Sequence, residues 1–296
     1  MLTWKQPRPE DKALFDSFLS SAVRESYETS FATLYLWRKY TRLEYAIDNN
    51  LLILYHYKQN FGSYYHPPYG YKKADLPEIT HMLQAERPTD FLYGEVDEHF
   101  ALEVKEMLGD TVELIANRDD FEYVYLVDDL INLSGRRFHG QKNHCNAFVK
   151  QYHPTSTPIV TPQVHADCYQ LLQRWKEAKG LEDSELIAER CAIDEAMVLQ
   201  EQLQLESIAV YAEGRVVGFA IGERLTNEMA VIHFEKADPA YRGAYAYLNQ
   251  HFLATNFSEQ HFVNRQEDVG EEGLRKVKTE YHPIKMIKKY YIRKAK

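Results

Sequence analysis

Twice along the chain, helical segments lead into a β-hairpin, a third strand, a loop and another helix. In the first half, helical segments from about Glu10 to Tyr40 precede a strand at Leu43–Ile47. A turn at Asp48-Asn49-Asn50 and a strand at Leu51–Tyr57 complete the hairpin. A Tyr/Pro/Gly-rich stretch from Tyr64 to Tyr71 follows, and Asp75 is expected to cap a helix with Pro77 in its first turn. A further strand, helix and strand reach Val127. In the second half, helices at His165–Lys179 and around Asp194–Gln204 precede strands at Ile208–Ala212 and Val216–Gly222, joined by Glu213-Gly214-Arg215. A strand at Met229–Glu235 then leads through Asp238-Pro239 into an amphipathic helix over about Gly243–Asn256. The two hairpin turns lie roughly 165 residues apart, so the chain reads as a duplicated α+β unit. Three prolines among small hydroxyl residues, Pro154 to Pro162, predict an extended connection. The expected domains are therefore 1–153 and 154–296.

The 296 residues, 45% hydrophobic and 27% charged, suit two globular domains. The 22 tyrosines suit half-buried strands and cleft walls with polar tips. A net charge of −9 argues against a generally basic nucleic-acid binder, though not against a local basic channel. No window approaches ~18 uninterrupted apolar residues, so no membrane span is expected. Met1 to Asp11 lacks the apolar core of a secretory signal. Three well-separated cysteines, Cys145, Cys168 and Cys191, point to reduced thiols in the cytoplasm. Neither they nor the histidines show metal-ligand spacing, and no metal is expected.

Several constellations could carry chemistry. The loop and short helix from Phe262 to Tyr281 place Leu274, Val277 and Tyr281 on an apolar stripe, with Arg275 and Lys278 on another face. Like charges at this spacing repel by a few tenths of a kcal/mol on a bare helix, an effect that a shared anion would reverse. A solvated face offset by Glu271 is the plainer reading. His233 and Glu235 alternate onto one face of a predicted strand, which suits a general base; a His–Glu hydrogen bond at the core edge would use the same pair. Arg136, Arg137, Lys142 and His144 gather charge before a helix, either to hold a phosphate or carboxylate or as a surface basic loop. The tail from Lys285 onward is basic with interleaved aromatics; it reads as a nucleic-acid track or, preferably, as a closing strand with a solvated end. There is no nucleophile elbow, thiol motif, Walker loop or GxGxxG.

Hairpin, strand, loop and helix is also the order that resembles the acyl-CoA N-acyltransferase (GNAT) fold, in which a helix N-terminus receives the donor's phosphates. Arg242-Gly243 resembles the start of that fold's coenzyme loop, but Tyr245 and Tyr247 stand where small residues belong and would crowd a pyrophosphate. A longer resemblance rests on four runs. They are Thr29-Ser30-Phe31-x-Thr33-Leu34-Tyr35-x-Trp37, Leu133-Ser134-Gly135 with Lys142-Asn143-His144 and Phe148, His233-Phe234-Glu235-Lys236, and Phe262-Val263-Asn264-Arg265 through Lys278. Together they resemble a bacterial family related to the C-terminal domain of phosphatidylglycerol lysyltransferase, similar in architecture to Fem-type aminoacyltransferases. Gln141-Lys142-Asn143 departs from a more basic pattern there.

The resemblance implies two tandem GNAT-like domains, each a mixed, mostly antiparallel sheet flanked by helices, with a site between the halves. It implies a cytoplasmic transferase that passes an acyl or aminoacyl group from coenzyme A or tRNA to an amine or hydroxyl, with no tightly bound cofactor. Lys142, His144, Arg242, Gly243, Arg265, Arg275 and Lys278 would hold the donor's anionic groups. His233 or Glu235 would act as base, and Asn264 or Arg265 would polarise the donor carbonyl. Lysyltransferases of this family carry membrane segments that this chain does not show, which argues against a lipid acceptor. Two other readings stand beside this one: a non-catalytic binding protein on the same scaffold, and an acetyl-CoA-dependent N-acetyltransferase of a small amine.

Overall fold

The computed structural model describes residues 1–20, 24–59, 61–180 and 182–295. The chain forms two compact units. One comprises Met1–Glu122, Glu267–Arg275 and the chain from Met286 on; the other comprises Tyr123–Gln266 and Lys276–Lys285.

The first unit begins with helices α1 (Lys12–Leu19) and α2 (Phe31–Trp37). These are the helical segments expected between Glu10 and Tyr40, and the part at 21–23 lies outside the described residues. Strands β1 (Glu44–Asp48) and β2 (Leu51–Lys58) form the expected hairpin. Its turn needs two residues at positive φ, which Asn49 (46°) and Asn50 (62°) supply. Then come β3 (Gly62–Tyr65), α3 (Leu76–Glu86), β4 (Tyr93–Asp97), α4 (Glu98–Leu108) and β5 (Val112–Ala116). Pro77 falls in the first turn of α3 as expected, although the Asp75 side chain makes no cap hydrogen bond. At α4 the Asp97 carboxylate does cap, accepting from the Phe100 N–H at 2.8 Å. Leu76, Ile79 and Leu83 of α3 and Phe100, Ala101 and Val104 of α4 are buried against Ile53, Tyr65, Tyr93 and Val96 of the sheet. Each large side chain so buried contributes about 1.5–3 kcal/mol relative to exposure.

The second unit carries β6 (Glu122–Leu126), which starts on the last residue of the first unit, then α5 (Val127–Asn132), α6 (His139–Tyr152) and β7 (Thr155–Thr157). Next are α7 (Pro162–Lys179), α8 (Asp183–Val198), α9 (Gln200–Leu203), β8 (Leu205–Ala212) and β9 (Arg215–Arg224). Finally come β10 (Met229–Ala237), α10 (Ala244–Asn256) and β11 (Phe262–Asn264); α11 (Glu272–Glu280) and β12 (Lys285–Ile287) have residues in both units, and β13 (Lys289–Lys294) belongs to the first. The β8–β9 turn again uses two positive-φ residues, Glu213 and Gly214. The stretch read as an interdomain connection is an edge strand: Thr155–Thr157 between the prolines pairs with Ala209–Tyr211 of β8.

The first sheet runs β1-β2-β3-β4-β13-β5 and the second β12-β6-β11-β10-β9-β8-β7. Both are mostly antiparallel, with β3–β4 in the first and β10–β11 in the second running parallel. In each, a strand sits inside the sheet beyond that parallel pair: β13 between β4 and β5, and β6 between β11 and β12. The basic C-terminal tail is therefore an internal strand of the first sheet, with Lys289 buried and Lys294 exposed. The compact units do not follow the expected division at 153/154, because β6, α5 and α6 belong with the second sheet, where α5 and α6 pack on α10.

A fragment of residues 1–153 lacks β13, so β4 and β5 lose their shared partner. It is expected to show no cooperative thermal transition by circular dichroism, and to gain one when a peptide spanning 285–295 is added. Cooperative melting of the fragment alone would contradict this topology.

Candidate active site

In the second unit, β10 and β11 pair in parallel over only three positions, Met229↔Phe262, Ala230↔Val263 and Val231↔Asn264. Beyond Asn264 the two strands part, while β10 continues to Ala237 still paired to β9. That pairing slips between Ile232 and Phe234, so His233 is the extra residue of a β-bulge. On the other strand, the buried Asn264 side chain accepts from the Gln266 N–H at 2.8 Å and holds Gln266 at φ 58°. Arg265 and Gln266 are thereby set beside the part of β10 that has left β11.

Both residues reach back to β10. Gln266 Nε2 lies 3.4 Å from His233 Nδ1, and His233 Nε2 lies 2.9 Å from the buried Glu223 carboxylate on β9. With an amide donor on one nitrogen and a carboxylate on the other, the partners assign the imidazole proton to Nε2. A ring so engaged and so buried positions the bulge. Glu235 accepts from Arg265 Nη2 at 3.0 Å and from Asn249 Nδ2 of α10 at 3.3 Å. Arg265 Nη1 is buried without a hydrogen-bond partner among the described residues. Its guanidinium lies 5.0 Å from the Tyr281 ring and 5.7 Å from that of Tyr125. Burial alone would lower the Arg265 pKa, but the Glu235 carboxylate and the two phenols outweigh it and hold the cation charged. Thus His233, Glu235, Asn264 and Arg265 converge, but as two linked pairs: His233 with Glu223, and Glu235 with Arg265.

The other expected residues are placed differently. On α11, Leu274 and Val277 are 37% and 47% exposed, whereas Lys278 is 8% exposed. Of the expected apolar stripe, only Tyr281 is buried. The Lys278 ammonium donates to the backbone carbonyls of Arg265 and Gln266, and so braces the turn that carries them. Arg275, in the first unit, forms a two-pronged pair with the buried Asp268 at 2.7 and 2.9 Å and a further bond to Asp119 at 2.8 Å. Both cations are thus committed to protein oxygens, which removes the like-charge penalty without an external anion.

Lys142 and His144 are exposed on α6, and Arg242 is exposed before α10. Gly243, at φ 91°, sits so close to α6 that an added Cβ would lie 2.4 Å from the His144 carbonyl oxygen. The glycine is therefore explained by helix packing. The Tyr245 hydroxyl accepts from Trp175 Nε1 at 2.7 Å.

Glu223, Gln266 and Asn249 were not singled out from sequence. A signal existed for Glu223 and His233, polar residues inside otherwise apolar strands. Nothing in the spacing marks Asn249, which joins the site only because α10 packs over β10.

Two stability effects follow from this geometry. Gly243→Ala should lower the unfolding free energy by about 3 kcal/mol or more, from φ strain and the clash with α6. Lys278→Met should cost about 2 kcal/mol by leaving two backbone carbonyls without their donor. Denaturant titration checks both; a change below about 0.5 kcal/mol in either would contradict the packing described.

This architecture has counterparts. A conserved protein of unknown function from Bacteroides thetaiotaomicron matches over 100% of both chains, with 26% identity and a TM-score of 0.88. L-PGS from Bacillus licheniformis matches over 98% of this chain and 93% of its own, with 14% identity and a TM-score of 0.66. A tandem GNAT protein from the clavulanic acid biosynthesis pathway matches over 99% and 97%, with 9% identity and a TM-score of 0.53. The fold is thus a tandem of GNAT-like domains, as the order of elements predicted. Residues 21–293 match the family described as phosphatidylglycerol lysyltransferase, C-terminal, and the chain belongs to that family.

Proposed function

We propose that the protein is an acyltransferase that passes an aminoacyl group from a charged tRNA to an amine or hydroxyl acceptor in the cytoplasm. The observation that carries this reading is the Arg265–Glu235 pair where β10 and β11 part, each side chain 12% exposed, with the buried Arg265 Nη1 unpartnered among the described residues. Family membership supports acyl transfer as the reaction class. The start of α10 favours an aminoacyl ester over coenzyme A. Gly243 there backs onto α6, and Tyr245, bonded to Trp175, stands where a pyrophosphate cradle requires small residues.

In the proposed step, the acceptor nitrogen or oxygen attacks the ester carbonyl carbon. Arg265 Nη1 donates to the carbonyl oxygen as it becomes an oxyanion. The acceptor's proton passes to Glu235, the ester C–O bond breaks, and Glu235 returns that proton to the departing ribose oxygen. His233, held between Glu223 and Gln266, is a positioning residue for the bulge. Transfer is direct: His233, Glu235, Asn264 and Arg265, the residues that converge here, include no thiol or hydroxyl nucleophile. No helix among the described residues is long and apolar enough to cross a membrane.

Incubation with radiolabelled aminoacyl-tRNA pools and, separately, with acetyl-CoA, each with a panel of amines, tests the reading. Label should move from tRNA, and Arg265→Gln should slow transfer by about 10²–10³-fold while the variant still melts cooperatively. Turnover of acetyl-CoA alone would replace this reading with the small-amine N-acetyltransferase. Inertness to both donors would favour the non-catalytic binding protein.

A further inference from the structure

The first unit holds a buried polar cluster that the proposed transfer does not use. Glu28, Glu95 and Glu122 are buried together with the Lys289 ammonium of β13. Lys289 pairs with Glu28 and, at 2.7 Å, with Glu122, and donates to Ser26 Oγ at 2.7 Å and to the Glu95 carbonyl at 3.1 Å. Glu95 stands at the parting of the parallel pair β3–β4, whose single matched position is Tyr65↔Tyr93. Its backbone has φ 55°, a strained value for a glutamate inside a strand. Its carboxylate pairs with Lys58, accepts from Tyr64 Oη at 2.6 Å, and lies 3.5 Å from His66 Nε2.

A second, independent observation concerns the histidines. His56 and His66 are each 3% exposed and stack with ring centroids 4.1 Å apart. Both ring nitrogens of His56, and Nδ1 of His66, are buried with no hydrogen-bond partner among the described residues. Buried polar atoms are rarely left so, and a bound ion would satisfy such a nitrogen. One ligand atom each from Glu28, His66 and Glu95 lies within 4.8 Å of the others. A tetrahedral ion with bonds of about 2.0–2.2 Å would need these atoms to close by roughly 1 Å.

We infer that the first unit binds one divalent transition-metal ion, of the zinc class, through Glu28, His66 and Glu95, with His56, stacked on His66, as a further donor. An imidazole among the donors and a dry setting favour zinc over magnesium or calcium, which prefer all-oxygen, hydrated sites. Three carboxyl groups and two ammonium groups meet in this cluster, so an entering ion competes with the ammonium groups for carboxylate oxygens. Lys58 is the cation that yields. Its side chain is 23% exposed on a flexible stem, whereas that of Lys289 is 2% exposed and stays with Glu122 and Ser26. The ligands are far apart in the chain, which is why their spacing predicted no metal.

The test uses tag-free, full-length protein stripped with a chelator and titrated with Zn²⁺ by calorimetry, with bound metal counted by mass spectrometry. One equivalent should bind and raise the melting temperature. His66→Asn should weaken binding by about 100-fold, and Lys58→Met, which removes the competing ammonium, should tighten it by about tenfold. Absence of stoichiometric binding, or Zn²⁺ affinity unchanged in both variants, would overturn the inference and leave the cluster a closed ion-pair network. Should His66→Asn fail to fold, the Lys58→Met titration and the visible spectrum of the Co²⁺-loaded parent decide. Tetrahedral absorption supports the site, and an octahedral, aquo-like spectrum with no gain in affinity contradicts it.

Discussion

Each sheet depends on one internal strand: β13 bonded to both β4 and β5, and β6 bonded to β11. An internal strand satisfies backbone donors and acceptors on both of its edges, and leaving those groups buried and unpaired would cost more than any side-chain contact nearby returns. This requirement ties the first unit to the end of the chain and gives the second unit a strand from the middle. It also fixes the turn after β11, since Arg265 N–H donates to the Tyr123 carbonyl and Tyr123 N–H to the Gln266 carbonyl. The site residues stand where they do because β6 holds that turn.

Charge inside the two units follows one rule: a buried ion is kept only where several opposite dipoles or charges meet it. Arg265 has Glu235 and two phenol rings; Lys278 has two carbonyls; Lys289 has two carboxylates, a hydroxyl and a carbonyl. Removing one partner from such a set is costlier than the net contribution of the pair, so these clusters hold geometry more than they add stability. In both units a cluster sits where a parallel strand pair parts, and there side chains take over from the backbone ladder.

The tyrosines show how far local reading reaches. Their number suggested half-buried strands, and Tyr64, Tyr65, Tyr93, Tyr123 and Tyr125 are instead fully buried. Their hydroxyls find partners that no spacing could reveal: Glu95 for Tyr64, the Leu83 and Arg87 carbonyls for Tyr65, and the Lys278 carbonyl for Tyr125. The stripe Leu274, Val277, Tyr281 failed for a related reason. A helix can bury its charged face when buried carbonyls need an ammonium, and hydrophobic periodicity carries no information about that need.

The sequence by itself determined the duplicated order of elements, both hairpin turns, the placement of His233 and Glu235 on one strand, and the family. The first three rest on local physics, chiefly turn chemistry, strand alternation and Pro at helix starts, and the family rests on the resemblance of four residue runs. Tertiary structure alone decided which strand completes which sheet, that Gly243 serves helix packing, and that Arg275 and Lys278 answer to protein oxygens. It alone brought Glu223, Gln266 and Asn249 to the site. Each of those outcomes depends on unpaired backbone or buried charge finding a partner distant in sequence, and partners of that kind exist only once the chain has closed on itself.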